Sequence, residues 1–106
     1  MERRDLIVVW SADAERDIDG IWDYLASEAS TRVADMAIRK IVRAGERLER
    51  HPFAGRPRDD LIPGMRSTLA SPYTVFYRIA QSNLEIVRVL HQRRDIDAVF
   101  ADDLDR

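Results

Sequence analysis

The sequence predicts an α+β fold in which a helical hairpin packs on one face of a small, mainly antiparallel sheet. Between Gly64 and Asp95, three short runs alternate apolar and polar residues or are rich in β-branched residues, which is typical of strands. Upstream of them, two longer segments repeat apolar residues at helical spacing. A further apolar run precedes the first helical segment, so the predicted order is β-α-α-β-β-β.

The first strand and the first helix follow each other directly. Residues 6–10 are a continuous apolar run, which predicts a strand. Ser11 comes next, and a hydroxyl at this position can cap the start of a helix. Apolar residues then recur at helical spacing over residues 14–25, and we expect Trp22 to lie in the core. Gly20 weakens this helix, and a close contact with a neighbouring element would explain its presence.

The second helix begins at a cap formed by Ser30 or Thr31. Its apolar stripe, residues 33–48, contains several small side chains that permit close packing, and Ile38 is expected in the core. The helix ends at His51, because a residue that precedes proline avoids the α region. Residues 53–63 are rich in proline and glycine, and we expect them to form an exposed loop.

The last three strands are predicted at residues 66–69, 73–79 and 84–91, and they form an antiparallel meander. A short polar loop at residues 81–83 predicts a hairpin. The position of the first strand in the sheet stays open. The helix pair covers one face, and the other face is expected to be open to water or to a partner. Apolar residues after residue 95 predict one further turn of helix.

Composition limits the class of protein. A chain of 106 residues is expected to form a single domain, residues 1–106. It has no cysteine, and no apolar run approaches the ~20 residues of a membrane-spanning helix, so we expect a cytoplasmic protein. The net charge is only −2, but residues 1–30 carry a net −5 whereas residues 31–50 and 51–95 each carry +3. This distribution fits a solvated surface with alternating charged patches, as in most proteins, and it also fits a basic surface that faces an acidic partner.

The candidate site is a polar set on the predicted strands. The sequence has no phosphate-binding loop, dinucleotide fingerprint or nucleophile elbow, and its two histidines lie 40 residues apart, so no metal or cofactor is expected. Each arginine taken singly also fits a solvated position, with its stem covering apolar surface. As a set, we interpret these residues as a partner-binding surface for phosphate or carboxylate groups. Its predicted members are Arg66, Tyr73, Tyr77, Arg78, Arg88, His91, Arg93 and Arg94.

Several sequence segments between Val8 and about Asp95 stand out when they are taken in order and spacing. They are the first strand with residues 11–17 and 21–24, residues 34–41, Leu48-Glu-Arg-His-Pro52 with Gly55-Arg56, Gly64-Met-Arg66, Tyr73-Thr-Val-Phe-Tyr77-Arg78, and Ile86 through Asp95. Together these segments resemble the RelE/ParE superfamily of type II toxins, and the ParE branch more than the RelE branch.

The resemblance implies a growth-arresting toxin, of the kind linked to plasmid stabilisation, encoded beside a ParD-like antitoxin that wraps it. ParE-like toxins inhibit DNA gyrase, which implies a non-enzymatic inhibitor without catalytic residues. RelE-like toxins cut messenger RNA on the ribosome, and this alternative would use Arg66 and Arg78 to hold the scissile phosphate and His91 as the acid or base. The lysine pair of many RelE nucleases is missing, and Arg56 and Arg58 stand in that loop instead. A third hypothesis is an interaction module that has lost toxicity.

Overall fold

The computed structural model describes residues 6–104 and confirms the predicted α+β fold. The elements are β1 (Ile7–Trp10), α1 (Ala12–Glu28), α2 (Thr31–Arg50), β2 (Arg56–Pro57), β3 (Arg66–Ala70), β4 (Tyr73–Ala80), β5 (Asn83–His91) and α3 (Ile96–Leu104). The five strands form one sheet in the order β1-β5-β4-β3-β2.

The first strand lies at an edge of the sheet, which the sequence had left open. β1 pairs with β5 in parallel, with Ile7 opposite Asn83 and Trp10 opposite Ile86. All other strand pairs are antiparallel. Ser11 fixes the turn from β1 into α1: its amide donates to the carbonyl of Ile86, and its hydroxyl accepts from the amide of Ala14. The predicted cap is therefore confirmed, and it also joins the helix to β5.

The helical hairpin covers one face of the sheet, as predicted. Ser30 caps α2, and His51 ends it. A Cβ atom on Gly45 would lie 2.9 Å from the Trp10 ring and 3.2 Å from Ile86 Cδ1, so only glycine allows α2 to approach the sheet this closely. Ile38, predicted as a core residue, is half-buried and packs against the edge of the buried cluster beneath the helices. We refer to this side of the sheet as the helix face, and its fully buried residues include Ile41, Ala44, Leu48, Val75, Tyr77, Leu84 and Ile86.

The opposite side, which we call the outer face, is not open as the sequence had suggested. Phe76 and Leu90 point to this side and pack with Leu61, Met65 and Phe100 in a second apolar cluster. The rings of Phe76 and Phe100 meet edge to face with centroids 5.0 Å apart. The C-terminal segment is a helix of nine residues and not one turn, because its apolar side covers this part of the sheet.

Two further expectations were wrong. Residues 53–63 are not simply an exposed loop, because they contain β2, and both Gly55 and Leu61 are buried. Trp22 is not a core residue: it is half-buried at the margin of the hairpin, and its indole N–H donates to Asp35 Oδ1 over 2.9 Å. Helical spacing places Trp22 on the apolar side of α1, but its polar indole N–H is directed at Asp35 on α2 and not into the core.

Candidate functional site

Tyr77, a predicted partner-binding residue, is instead completely buried and fastens the segment after α2. Its hydroxyl donates to the carbonyl oxygen of Pro52 over 2.8 Å and accepts from the amide of Gly55 over 2.9 Å. A Cβ on Gly55 would lie 2.5 Å from this hydroxyl and 2.7 Å from the carbonyl oxygen of Ser67. The position therefore requires glycine, and Tyr77 has no surface to offer a partner.

Arg66 holds the same segment from the neighbouring strand. Its Nε donates to the carbonyl of Gly55 over 3.0 Å, and one terminal nitrogen donates to Gly55 and to the carbonyl of Phe53. The guanidinium also lies over the exposed ring of Phe53, 5.4 Å from its centroid. Arg66 therefore uses much of its donor capacity within the chain.

Arg88 is an internal residue as well, because it forms a bidentate ion pair with Asp17 of α1. Arg88 Nε lies 2.8 Å from Asp17 Oδ2, and a terminal nitrogen lies 2.9 Å from Oδ1. The same carboxylate accepts from the amide of Val89, close to the register shift in the β4–β5 pair between Phe76 and Tyr77. The two charged side chains are only 14% and 12% exposed, so this pair joins α1 to β5.

Arg66, Arg78 and His91 do not converge, although the ribonuclease alternative needs them together. In the β3–β4 register Arg66 lies opposite Tyr77, whereas His91 lies opposite Tyr73 at the other end of β4. Five residues of strand separate Tyr73 from Arg78, or roughly 17 Å at ~3.3 Å per residue. Arg78 forms an exposed ion pair with Glu85 over 3.0 Å. The expectation of one convergent set on an open face is therefore wrong.

Three predicted residues do meet, in a cleft between α1 and the end of β5. Tyr73, His91 and Arg94 line it together with Arg16 and Tyr24, and its volume is about 460 Å³. We call it the α1–β5 cleft; its remaining lining residues are Asp17, Gly20, Ile21, Val89 and Leu90. Arg93, the neighbour of Arg94, is exposed but does not line the cleft.

Tyr73 forms the floor of the α1–β5 cleft. Its side chain is only 7% exposed, and its ring meets the imidazole of His91 edge to face at 5.6 Å. Burial, assisted by the neighbouring Tyr24, raises the pKa of the Tyr73 hydroxyl above its usual range. The hydroxyl therefore stays protonated at neutral pH and is available as a hydrogen-bond donor.

The sequence did not reveal the α1 side of this cleft. Arg16 and Tyr24 lie on a helix that reads as acidic and amphipathic, and nothing in its spacing connects them to residues 73–94. Gly20 was expected to allow a close contact, but a Cβ there would meet nothing within 4 Å. Gly20 lies at the cleft instead and leaves room at its mouth. Its position four residues from both Arg16 and Tyr24 was the available signal.

A second cleft lies beside β3, lined by the segment after α2, and has a volume of about 500 Å³. It holds Arg56 and Arg58, the two arginines of the proline-rich segment, and the buried hydroxyls of Ser67 and Thr74. Its remaining lining residues are Ala54, Gly55, Thr68 and Leu69. These groups can hold an anion, but the lining residues include no imidazole or carboxylate that would transfer a proton.

Arg58 is partly committed to an ion pair at the rim of this second cleft. Its Nε and one terminal nitrogen contact the two carboxylate oxygens of Asp60 at 3.1 and 3.0 Å. The hydrogen bonds from Arg58 lower the pKa of the Asp60 carboxyl, and the same contact raises the pKa of the guanidinium. Arg56 is exposed, so it is the freer cation of the two.

The described part of the chain contains no group of three or more histidine, cysteine or carboxylate side chains arranged to hold a metal ion. Over the same residues, no helix is long and apolar enough to cross a membrane.

Solved structures place the fold in a known class. The chromosomal ParDE toxin–antitoxin system from P. aeruginosa contains a chain that superposes with a TM-score of 0.73, at 24% identity over 81% of this chain and 95% of that one. The RelBE2 complex from Mycobacterium tuberculosis gives a TM-score of 0.61, at 23% identity over 82% and 98% of the two chains. At these identities the likeness shows the fold alone, which is that of RelE/ParE toxins.

Sequence comparisons define the family. Residues 8–96 match the family described as ParE toxin of type II toxin-antitoxin system, parDE. Toxin ParE1 of Mycobacterium tuberculosis is 34% identical over 88 residues, which cover 82% of this chain and 90% of that toxin. Toxin ParE1 of Caulobacter vibrioides is 34% identical over 82 residues, covering 77% and 84%. The chain belongs to the ParE family of toxins from type II toxin–antitoxin systems, within the RelE/ParE superfamily.

Proposed function

We propose that this toxin arrests growth in the cytoplasm by inhibiting DNA gyrase and that a ParD-like antitoxin neutralises it. The observation that carries the proposal is the ParE family match over residues 8–96, since gyrase inhibition is the activity that the resemblance to the ParE branch implies. A gyrase inhibitor acts by binding, so it needs no catalytic group of its own. The rest of the molecule agrees with a binding protein.

The separation of Arg66, Arg78 and His91 argues against the alternative of a messenger-RNA endonuclease. Cleavage by attack of a 2′-hydroxyl needs a proton acceptor and cationic groups within hydrogen-bond reach of one phosphate. Arg66 is bonded to backbone carbonyls, Arg78 pairs with Glu85, and His91 lies at the other end of β4. These side chains can meet at one phosphate only if the sheet itself rearranges.

Exposed apolar side chains support an antitoxin partner. On α2, Val33 is 41% exposed and Met36 is 56% exposed, one helical turn apart. On α1, Tyr24 is 65% exposed. An amphipathic helix of a partner would cover such side chains, as in other helix-in-groove complexes. The basic surplus on residues 31–50 favours an acidic partner, whose association would slow as salt is added.

Induction of the chain without its antitoxin tests the proposal. Growth, chromosomal DNA breaks and the integrity of messenger RNA are followed in the same culture, and purified toxin is added to a gyrase supercoiling assay. We expect growth arrest, DNA breaks and loss of supercoiling with intact messages. Message cleavage that disappears in Arg78→Ala or His91→Ala would establish the ribonuclease instead. Antitoxin binding without growth arrest would leave an inactive interaction module.

A further inference from the structure

We propose that the α1–β5 cleft is a binding site for a carboxylate group, supplied by an acidic side chain of the antitoxin that has apolar neighbours. The proposal rests on the proposed function in one respect only, the identity of the partner. Its basis is a set of hydrogen-bond donors, namely the Tyr73 hydroxyl, His91 Nε2 and the Arg94 guanidinium, that line one cleft and have no acceptor among the described residues.

The hydroxyl of Tyr73 is the first of these donors. The side chain is more than nine-tenths buried, yet its oxygen has no hydrogen-bond partner in the described part of the chain. Every completely buried side-chain nitrogen or oxygen in that part does have one. The Tyr73 oxygen must therefore be reachable from outside, and the cleft that Tyr73 lines gives that access. A buried aromatic ring with an open hydroxyl is suited to bind an acceptor group.

His91 and Arg94, which line the same cleft, supply two further donors. The backbone amide of Arg93 donates to Nδ1 of His91 over 3.1 Å, so the neutral imidazole carries its proton on Nε2. The guanidinium of Arg94 is exposed, and no side chain of the described residues pairs with it. The guanidinium of Arg16 adds another positive charge to the cleft and also forms an ion pair with Asp13.

The carboxylate already present in the cleft does not satisfy these donors. Asp17 directs both of its oxygens at Arg88 and at the amide of Val89. A ligand with two acceptor oxygens would complete the set, because a carboxylate can accept several hydrogen bonds at once. The adjoining side chain of Ile21 and the ring of Tyr24 supply apolar surface for the residues that flank such a carboxylate.

The charge of α1 favours a single carboxylate over a nucleic-acid backbone. This helix carries six carboxylates and one arginine, so its surroundings repel a polyanion. A phosphate chain would bring several charges close to them, whereas one peptide carboxylate brings a single charge to the side where Arg94 and His91 lie. Nucleic acid is therefore the competing ligand that the experiment must exclude.

The decisive variant is Arg94→Glu, and its matched control is Arg93→Glu. Both reverse one exposed arginine, but only Arg94 lines the cleft. We expect Arg94→Glu to weaken binding of the purified cognate antitoxin about tenfold or more, the usual effect of losing one charged hydrogen bond, and Arg93→Glu about twofold. Equal effects of the two variants would overturn the proposal, since they would reduce it to general charge attraction.

Two other variants test the cleft without changing its charge. Gly20→Leu adds bulk where a Cβ meets nothing, and Tyr73→Phe removes only the open hydroxyl. Both should weaken antitoxin binding several-fold, and an unchanged affinity in both would refute the proposal even if Arg94→Glu misfolds. A lysine scan of the acidic positions of the antitoxin should find one substitution that restores binding to Arg94→Glu.

A direct titration separates the cleft from the proposed function. The purified wild-type chain is titrated with N-acetylglutamate methylamide, inorganic phosphate or a 12-base-pair DNA, and the NMR signals of Tyr73, His91 and Arg94 are followed. We expect only the glutamate derivative to shift these signals as a group. Stronger shifts with phosphate or DNA would overturn the proposal. If the glutamate derivative binds but no antitoxin complex forms, the cleft proposal stands for a carboxylate ligand and the antitoxin assignment fails.

Discussion

The ion pair between Asp17 and Arg88 should contribute strongly to stability, and Asp17→Ala measures it. The substitution removes the hydrogen bonds to Nε and the terminal nitrogen of Arg88 at 2.8 and 2.9 Å, and the bond from the amide of Val89 at 2.9 Å. It leaves a guanidinium that is only 14% exposed without this partner. Breaking a buried pair from one side costs about 3–5 kcal/mol. Because some water reaches Arg88, we expect about 3 kcal/mol.

Urea unfolding monitored by circular dichroism gives the loss directly, and a loss of this size lowers the midpoint of thermal unfolding by roughly 15 °C in a domain of this length. The double variant Asp17→Ala with Arg88→Met should be more stable than Asp17→Ala alone, because it no longer holds a largely buried guanidinium that has lost the Asp17 carboxylate. The matched control is Arg78→Met, whose exposed pair with Glu85 should contribute less than about 1 kcal/mol. Strictly additive effects of the Asp17 and Arg88 changes would refute the reasoning.

Three other predictions concern Tyr77, Gly55 and Tyr73. Tyr77→Phe removes two buried hydrogen bonds and should cost about 1–3 kcal/mol in urea unfolding, whereas Tyr24→Phe, at an exposed ring, should change stability by less than about 0.5 kcal/mol. Gly55→Ala should destabilise the protein by about 1–3 kcal/mol even in the Tyr77→Phe background, because the carbonyl oxygen of Ser67 still lies 2.7 Å from the new Cβ. If adding Gly55→Ala left the stability of Tyr77→Phe unchanged, the close packing at Gly55 would be contradicted. Ultraviolet titration of the wild type against Tyr73→Phe should give Tyr73 a pKa above 10.0. Because the pKa of Tyr73 is raised in the folded protein, the stability that its hydroxyl contributes is complete below pH ~10 and is lost as the pH rises through the folded pKa. If the free energy of unfolding depended on pH in the same way in the wild type and in Tyr73→Phe, burial of this hydroxyl would have no effect.

Local pattern was sufficient to predict the two long helices and four of the five strands, in their order along the chain. Alternation over residues 73–79 identified the central strand, and a hydroxyl directly after an apolar run identified the cap at Ser11. Both features depend on neighbours within a few positions. The covered outer face could not be predicted in the same way, because Leu61 and Phe100 come from distant parts of the chain and meet only after folding.

The candidate site was predicted only in part, again because the partners of its residues lie far apart in the sequence. Composition singled out arginines, tyrosines and a histidine, and three of them, Tyr73, His91 and Arg94, do share a cleft. Pattern alone could not separate them from Arg88, whose partner Asp17 lies 71 positions away, or from Tyr77, whose partner Pro52 lies 25 positions away. A guanidinium that binds a partner and one that fastens the protein's own backbone look the same in a sequence.

Because β1 pairs in parallel with β5, the sheet of this toxin cannot be completed until β5 has been synthesised. Val8 pairs with Leu84, and Trp10 pairs with Ile86. The first strand therefore has no partner in the sheet until the ribosome has synthesised most of the chain. The α1–α2 hairpin can form early because its contacts are local, whereas the β1–β5 edge joins residues as distant in sequence as Ile7 and Asn83. The α1–β5 cleft needs the end of β5, so the surface that we assign to the antitoxin is also among the late products of folding.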